Sequence, residues 1–283
     1  MIMKPSFIRR TCAVLLAAAA LVALSPFPST AETLRIGGTG SALGTMKLLS
    51  DEFERLNPDV AVKIYPSLGS TGAVRALAGG TLDIAITGRP LMLEELKHGL
   101  TIFGYAQTPL AAATRRTSSV RGITTQELAR IYSGETTSWP DGRRIRLVLR
   151  PASDADAKIM RSISPDVSRA LDAAYGRPGM LIAATDRDCS AAIEAADGTL
   201  GFITLTQFMT ERPRISLLSL NTIEPTVRNM AAGTYPLSKT LYAVTKASPA
   251  PLAARFIGFL RSKEARRIIQ QTGNLLIPSP GYR

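Results

Sequence analysis

Leu34-Arg35-Ile36-Gly37-Gly38-Thr39-Gly40-Ser41-Ala42-Leu43-Gly44-Thr45-Met46-Lys47 opens the stretch 34–56, on which the reading of the chain turns. It reads as a short strand, a glycine-rich loop and a helix. Met46, Leu49, Phe53 and Leu56 recur at helical spacing and give that helix one apolar face. Gly37, Gly38, Gly40 and Gly44 let backbone come close to whatever lies above the loop. Thr39, Ser41 and Thr45 add hydroxyl donors. A helix start carries unpaired N–H groups and partial positive charge, so this loop can hold an anion. Such strand-to-helix turns with a hydroxyl cap are also frequent in α/β folds for purely structural reasons.

Outward from that stretch, the N-terminus has the pattern of an export signal. Lys4, Arg9 and Arg10 precede an apolar run over 13–24, and Ser29-Thr30-Ala31 supplies small residues for cleavage after Ala31. The run is shorter than the ~20 residues a membrane span needs. Cys12 lies before the run, which does not fit a lipid-attachment cysteine. Arg9-Arg10 leaves both the general and the twin-arginine export route open. Removing 31 of 283 residues leaves 252, enough to bury a large core and natural for two domains. Three cations and no acid leave with the signal, so the formal charge of +12 becomes about +9. The basic residues are scattered and there is a single Trp, a pattern that argues against a nucleic-acid surface. Cys189 is the sole remaining cysteine, so no internal disulfide can form.

Along the chain the rhythm is strand, helix, strand, helix. Val60, Val62 and Ile64 alternate as a strand; 69–78 is a short helix stopped by Gly79-Gly80; 82–87 is a strand broken at Gly88-Arg89-Pro90; 91–96 is a helix. This order implies βαβ units and a mostly parallel sheet. An apolar extended stretch, 101–114, contains Pro109. Thr124-Thr125-Gln126-Glu127 is a capping box. A strand over 145–149 ends in Arg150. Ser153 is the expected cap of the next helix, with Asp154 and Asp156 in its first turn. Ser164-Pro165 starts another helix. Strands are expected at 180–184, 200–204, 215–220 and 240–245, helices at 190–196 and from Glu224, and a long helix or a pair over 248–272. No linker separates two halves, which implies that the chain crosses between lobes through strands.

Taken together, these stretches resemble the extracytoplasmic solute-binding proteins of ABC importers, in particular the phosphate-binding type. Gly37-Gly38-Thr39-Gly40-Ser41, Gly69-Ser70-Thr71-Gly72-Ala73 and the segment 83–91 resemble that family's three ligand loops. The segment 128–135 with Trp139 and Arg150 resembles the opening of its second lobe, and 235–242 with 256–273 its return and closing helices. The resemblance implies a two-lobed, type II periplasmic-binding-protein α/β architecture, each lobe a mostly parallel sheet flanked by helices. It places lobe 1 at 32–112 plus 238–283 and lobe 2 at 113–237. It implies capture of a small oxyanion, phosphate or phosphate-like, by a monomer in the periplasm that serves an ABC permease in the inner membrane. The implied ligand residues are Thr39, Gly40, Ser41, Ser70, Thr71, Gly72, Thr87, Arg89, Arg150 and Ser153. No catalytic residue, metal, cofactor or nucleic acid is implied. Each loop would lie at the carboxyl end of a strand, where ligands of open α/β sheets bind.

Two departures from the family pattern stand out. The third loop reads Thr87-Gly88-Arg89 and lacks the family's acid, and the stretch after Arg150 places Asp154 and Asp156 where the family has hydroxyl residues. A carboxylate within ~4 Å of a bound dianion repels it by about 1 kcal/mol in water and several times that in a cleft. These acids either stabilise the helix start and point away, or fill the anion's place or meet a cationic or hydroxylated part of another ligand. A sensor subunit of the same fold would share the sequence features. An exported hydrolase fits poorly: His98 is the only histidine, beside a helix end, and there is neither a Gly-x-Ser-x-Gly elbow nor metal-ligand spacing.

Overall fold

A computed structural model describes residues 31–277. The expected signal segment, apart from Ala31, lies outside them. Strand β1 (Glu32–Gly38) buries Leu34 and Ile36 and leads through Thr39 into helix α1 (Gly40–Leu56). Met46, Leu49 and Phe53 form the buried face of α1, while Leu56 lies exposed at its end. β2 (Val60–Ile64), α2 (Gly69–Ala78) and β3 (Ile84–Thr87) follow, with β2 and β3 parallel to β1 on either side. Short α3 (Leu93–Leu96) then precedes β4 (Leu100–Arg115).

β4 explains how two lobes share one chain without a linker. Its 16 residues span about 50 Å at strand rise. Residues 106–107 also pair with a short strand near the C-terminus, and 113–115 with one further along the chain. Tyr105 and Ala106 belong to one hydrophobic core, Leu110 and Ala112 to another. Pro109 has no N–H to give a ladder. It sits where β4 changes its main partners, and the next N–H, that of Leu110, bonds Leu237 O at 3.1 Å.

The second lobe begins with β5 (Gly122–Ile123) and α4 (Thr125–Ser133), whose Thr124–Glu127 capping box forms as expected. β6 (Arg146–Leu149) precedes α5 (Ala155–Arg161). The cap of α5 is Asp154, which accepts from Asp156 N–H; Ser153, the expected cap, is exposed in the preceding turn. α6 (Pro165–Gly176) starts at the Ser164 cap. The strand expected over 180–184 shortens to β7 (Leu181–Ile182). α7 (Asp186–Ala195) begins four residues before the expected position, because Thr185 and Asp188 form a capping box. β8 (Thr199–Thr204), α8 (Leu205–Glu211), β9 (Ile215–Leu217), β10 (Ser219–Leu220) and α9 (Val227–Ala231) complete the lobe. The single strand expected over 215–220 is thus two, and α9 is capped by Thr226 rather than started at Glu224.

The chain returns through β11 (Ser238–Lys246), antiparallel to β3 and to residues 100–109 of β4, while 110–113 of β4 pair with β8. α10 (Pro251–Phe259) and α11 (Lys263–Gln271) are a pair of helices, followed by β12 (Leu275–Leu276). The main strand order is β2-β1-β3-β11-β4-β8-β6-β7, with β9 and β12 also on β4. Each lobe therefore has three parallel strands, β2-β1-β3 in one and β8-β6-β7 in the other, joined through antiparallel β11 and β4. Phe53, Phe256 and Phe259 pack as an aromatic cluster with centroids 5.1–5.9 Å apart, clamping α1 and α10 over the first sheet. Among the described residues no helix is long and apolar enough to cross a membrane.

Candidate functional site

The start of α1 faces the second lobe. Its hydroxyl positions recur at one-turn spacing: Ser41 and Thr45 are fully buried, and Thr45 Oγ1 lies 2.8 Å from Thr206 Oγ1 on α8. A Cβ at Gly44 would stand 2.1 Å from Thr210 Oγ1, so only glycine lets α1 and α8 approach this closely. Thr39, ahead of the helix, does not cap it. Its hydroxyl is 2.9 Å from Ser41 Oγ and donates to Asp186 Oδ2 at 2.8 Å.

Asp186 sits at the centre of a buried charged cluster. Lys239 Nζ donates to Asp186 Oδ1 at 3.0 Å and lies 2.8 Å from Asp156 Oδ1. Arg150 donates to Ala183 O at 2.8 Å and to Asp154 Oδ2 at 3.0 Å, and it stands 3.9 Å from both Asp156 and Asp186. The Tyr175 hydroxyl pins the backbone of Arg150 through its carbonyl. Lys239, Asp156, Asp186 and Arg150 are 1–4 % exposed. Two buried cations thus face two buried carboxylates and a third, Asp154, that is partly exposed. Among the described residues no group of His, Cys, Asp and Glu is arranged to hold a metal ion.

The carboxylates differ in character. Burial, with Asp186 and Asp154 nearby, outweighs the pull of Lys239 and pushes the Asp156 carboxyl up to about 6. Burial also works against the charge on Asp186, but Lys239, Arg150 and the Thr39 hydrogen bond outweigh it and hold that carboxyl below its usual range. Burial lowers Lys239 less than Asp156 and Asp186 raise it, so it stays charged. Asp186 is therefore the fixed anion of the cluster, and Asp156 is the member that takes up a proton.

The residues singled out in the sequence fall into two adjoining groups. Thr39, Gly40, Ser41 and Arg150 gather around Asp186; a Cβ at Gly40 would lie 3.1 Å from that of Asp186. Ser70, Thr71, Gly72, Thr87 and Arg89 build a neighbouring wall. Ser70 Oγ accepts from Gly88 N–H at 3.0 Å, and the Thr87 hydroxyl donates to Arg89 O. Arg89 is spent within its own lobe: it forks onto Glu95 at 2.7 Å through both oxygens and donates to Thr71 Oγ1. Ser153 joins neither group. Asp154 and Asp156 do not point away from the cleft, as one sequence reading allowed; both face Arg150.

Lys239 and Asp186 were missed in the sequence. Lys239 alternates with Leu241 and Ala243 on the buried face of β11, just after buried Leu237, and a lysine in such an apolar alternation is a signal. Asp186 follows directly on Thr185, the first residue of a capping pattern that was not read. Lys239 also accounts for Gly88. A Cβ there would stand 2.4 Å from Lys239 Cε, so glycine clears the path of the buried stem.

A family model described as a PBP superfamily domain matches residues 25–264. The chain belongs to the PBP superfamily. The likeness extends to individual relatives. Phosphate-binding protein PstS of Bacillus subtilis is 24 % identical over 246 residues, 84 % of this chain and 78 % of its own length. Protein SphX of Synechococcus elongatus is 26 % identical over 99 % of this chain and 88 % of its own. A solved Clostridium perfringens protein, described as a phosphate ABC transporter substrate-binding protein with bound phosphate, superposes with a TM-score of 0.75. It is 21 % identical and covers 87 % of this chain and 100 % of its own, a likeness of fold.

Proposed function

We propose that this chain captures a small oxyanion of the phosphate class between its two lobes and hands it to an ABC-type permease in the inner membrane. The first lobe runs from 32 to about 109 and resumes at 238, since Leu110 and Ala112 pack in the second core, and the chain works as a periplasmic monomer after losing its signal segment. One observation carries the reading: Thr39, Lys239 and Arg150, drawn from both lobes, surround the two oxygens of a single carboxylate. A hydroxyl, an ammonium and a guanidinium around one pair of oxygens, beside the start of a 17-residue helix, are the donors a tetrahedral oxyanion needs. Relatives named for phosphate binding support the same ligand class. In this reading Thr39, Gly40, Ser41, Arg150 and Lys239 form the site. Ser70, Thr71, Gly72, Thr87 and Arg89 hold the shape of the adjoining wall, and Ser153 stands outside it. Closure of the lobes expels water and strengthens each hydrogen bond.

A thermal-shift screen of phosphate, sulfate, molybdate, tungstate and small organic acids tests this. At a hundred times its dissociation constant a ligand adds about 2.7 kcal/mol of stability, roughly 5–10 °C for a chain of this size. A shift with phosphate or another tetrahedral oxyanion, lost in Arg150→Ala, is the expected result. No shift with any of them would overturn the proposal.

A further inference from the structure

We propose that Asp186 is an internal ligand: in the closed chain its carboxylate occupies the donors of the oxyanion site, and a solute binds only by exchanging with it. The inference rests on the oxyanion reading of the cleft and adds the residue that sets its affinity. Its geometry is that of a bound anion. One oxygen accepts from Thr39, the other from Lys239, and Arg150 stands 3.9 Å from the first. Asp186 also packs against the α1 start, where a Cβ on Gly40 would lie 3.1 Å from its own.

Its local structure leaves the side chain free for this task. The cap of α7 is supplied by Thr185, whose hydroxyl accepts from Asp188 N–H, while Asp188 bonds back to Thr185 N–H. Asp186 therefore has no capping duty, although it is the first residue of the helix. Its carbonyl is held by Gln207 Nε2 at 3.2 Å, which fixes the backbone while the carboxylate reaches across the cleft.

The exchange also reduces the charge problem. Three carboxylates face two cations, so a dianion added to the intact cluster would meet net repulsion. If Asp186 leaves as the oxyanion enters, a monoanion leaves the charge of the cluster unchanged and a dianion makes it one charge more negative instead of two. Two consequences follow. The closed shape does not require a solute, and the apparent affinity is the intrinsic one reduced by the fraction of chains in which Asp186 is displaced.

Calorimetric titration of inorganic phosphate into the purified full chain and into Asp186→Ala tests the exchange, alongside small-angle X-ray scattering of both without ligand. The expected result is a roughly tenfold or greater gain in phosphate affinity for Asp186→Ala, as removal of a competing state requires. The ligand-free wild type is expected to be compact and the ligand-free variant expanded. Equal or weaker binding by the variant overturns the inference and leaves the oxyanion reading standing. Binding by neither protein overturns both. Equal radii of gyration without ligand overturn the internal-ligand role whatever phosphate does. Should Asp186→Ala not fold, Asp186→Asn, which keeps the shape and removes the charge, is read by the same outcomes.

Discussion

Asp156→Asn tests the electrostatics of the cluster through an effect opposite to the usual one. Removing one member of a buried ion pair ordinarily destabilises a protein by about 3–5 kcal/mol. Here acids outnumber cations, and Asp156 is the surplus one. Its carboxyl is raised from 3.8 to about 6 by burial and by its acidic neighbours. In the folded chain it therefore holds a proton between about pH 4 and 6, where the unfolded chain has released it. Stability must fall as pH rises through that window, because the folded state binds more protons there. Ionising Asp156 in the folded chain therefore costs about 3 kcal/mol of stability, a penalty fully present above pH 6 and absent below pH 4. Asp186 does not confuse the window. Its carboxyl is held low, so the stability it contributes is present above its unfolded value and is lost only at more acid pH. Asn has the shape of the protonated acid. Urea unfolding of both proteins from pH 4 to 7.5 should give nearly equal stabilities at pH 4, with Asp156→Asn about 3 kcal/mol more stable at pH 7. The difference between the two curves cancels other titrating groups, such as Glu211, which burial also raises. A wild type that gains stability over the variant as pH rises from 4 to 6 would refute the reasoning.

Four further outcomes are expected. Lys239→Met keeps the buried stem but leaves Arg150 to face three carboxylates; urea unfolding should show a loss of about 3–5 kcal/mol, partly recovered in the double variant with Asp156→Asn. Gly88→Ala pushes against Lys239 Cε and should lose about 1–3 kcal/mol by the same assay, with weaker phosphate binding in calorimetry. Arg89→Ala leaves Glu95 with the Met92 N–H but no cation, so stability should fall by about 1–3 kcal/mol while phosphate affinity changes little, in contrast to Arg150→Ala. Cys189 is buried, its thiol donates to Phe202 O and burial pushes it up to about 12; a thiol reagent should label it in urea and leave it untouched in the native chain.

Much of the fold was written in local patterns. The run from β1 through the glycine loop into α1, the capping boxes and the alternation of β2 each follow from spacing that depends on near neighbours alone. The resemblance built on those pieces anticipated Arg150 and the α1 start as parts of one place. The chemistry of the cluster was less legible, because it depends on what the chain folds against. Arg89 and Arg150 look alike in sequence, yet Arg89 meets Glu95 six residues on, whereas Arg150 is buried among acids from two different helices. Asp154 and Asp156 stand out in the sequence as departures, but Lys239, the partner of Asp156, lies more than eighty residues away and is brought in by the return strand. Asp186 is hidden because the apolar spacing points to a helix start at Ser190, whereas Thr185 caps the helix and puts Asp186 at its first position.

The most direct test of the central claim is a crystal structure of the protein with phosphate. The account predicts phosphate oxygens within about 3 Å of Thr39 Oγ1, Lys239 Nζ and an Arg150 nitrogen, with the Asp186 carboxylate withdrawn from them. Phosphate bound elsewhere, or Asp186 still accepting from Thr39 and Lys239 beside it, would contradict the account.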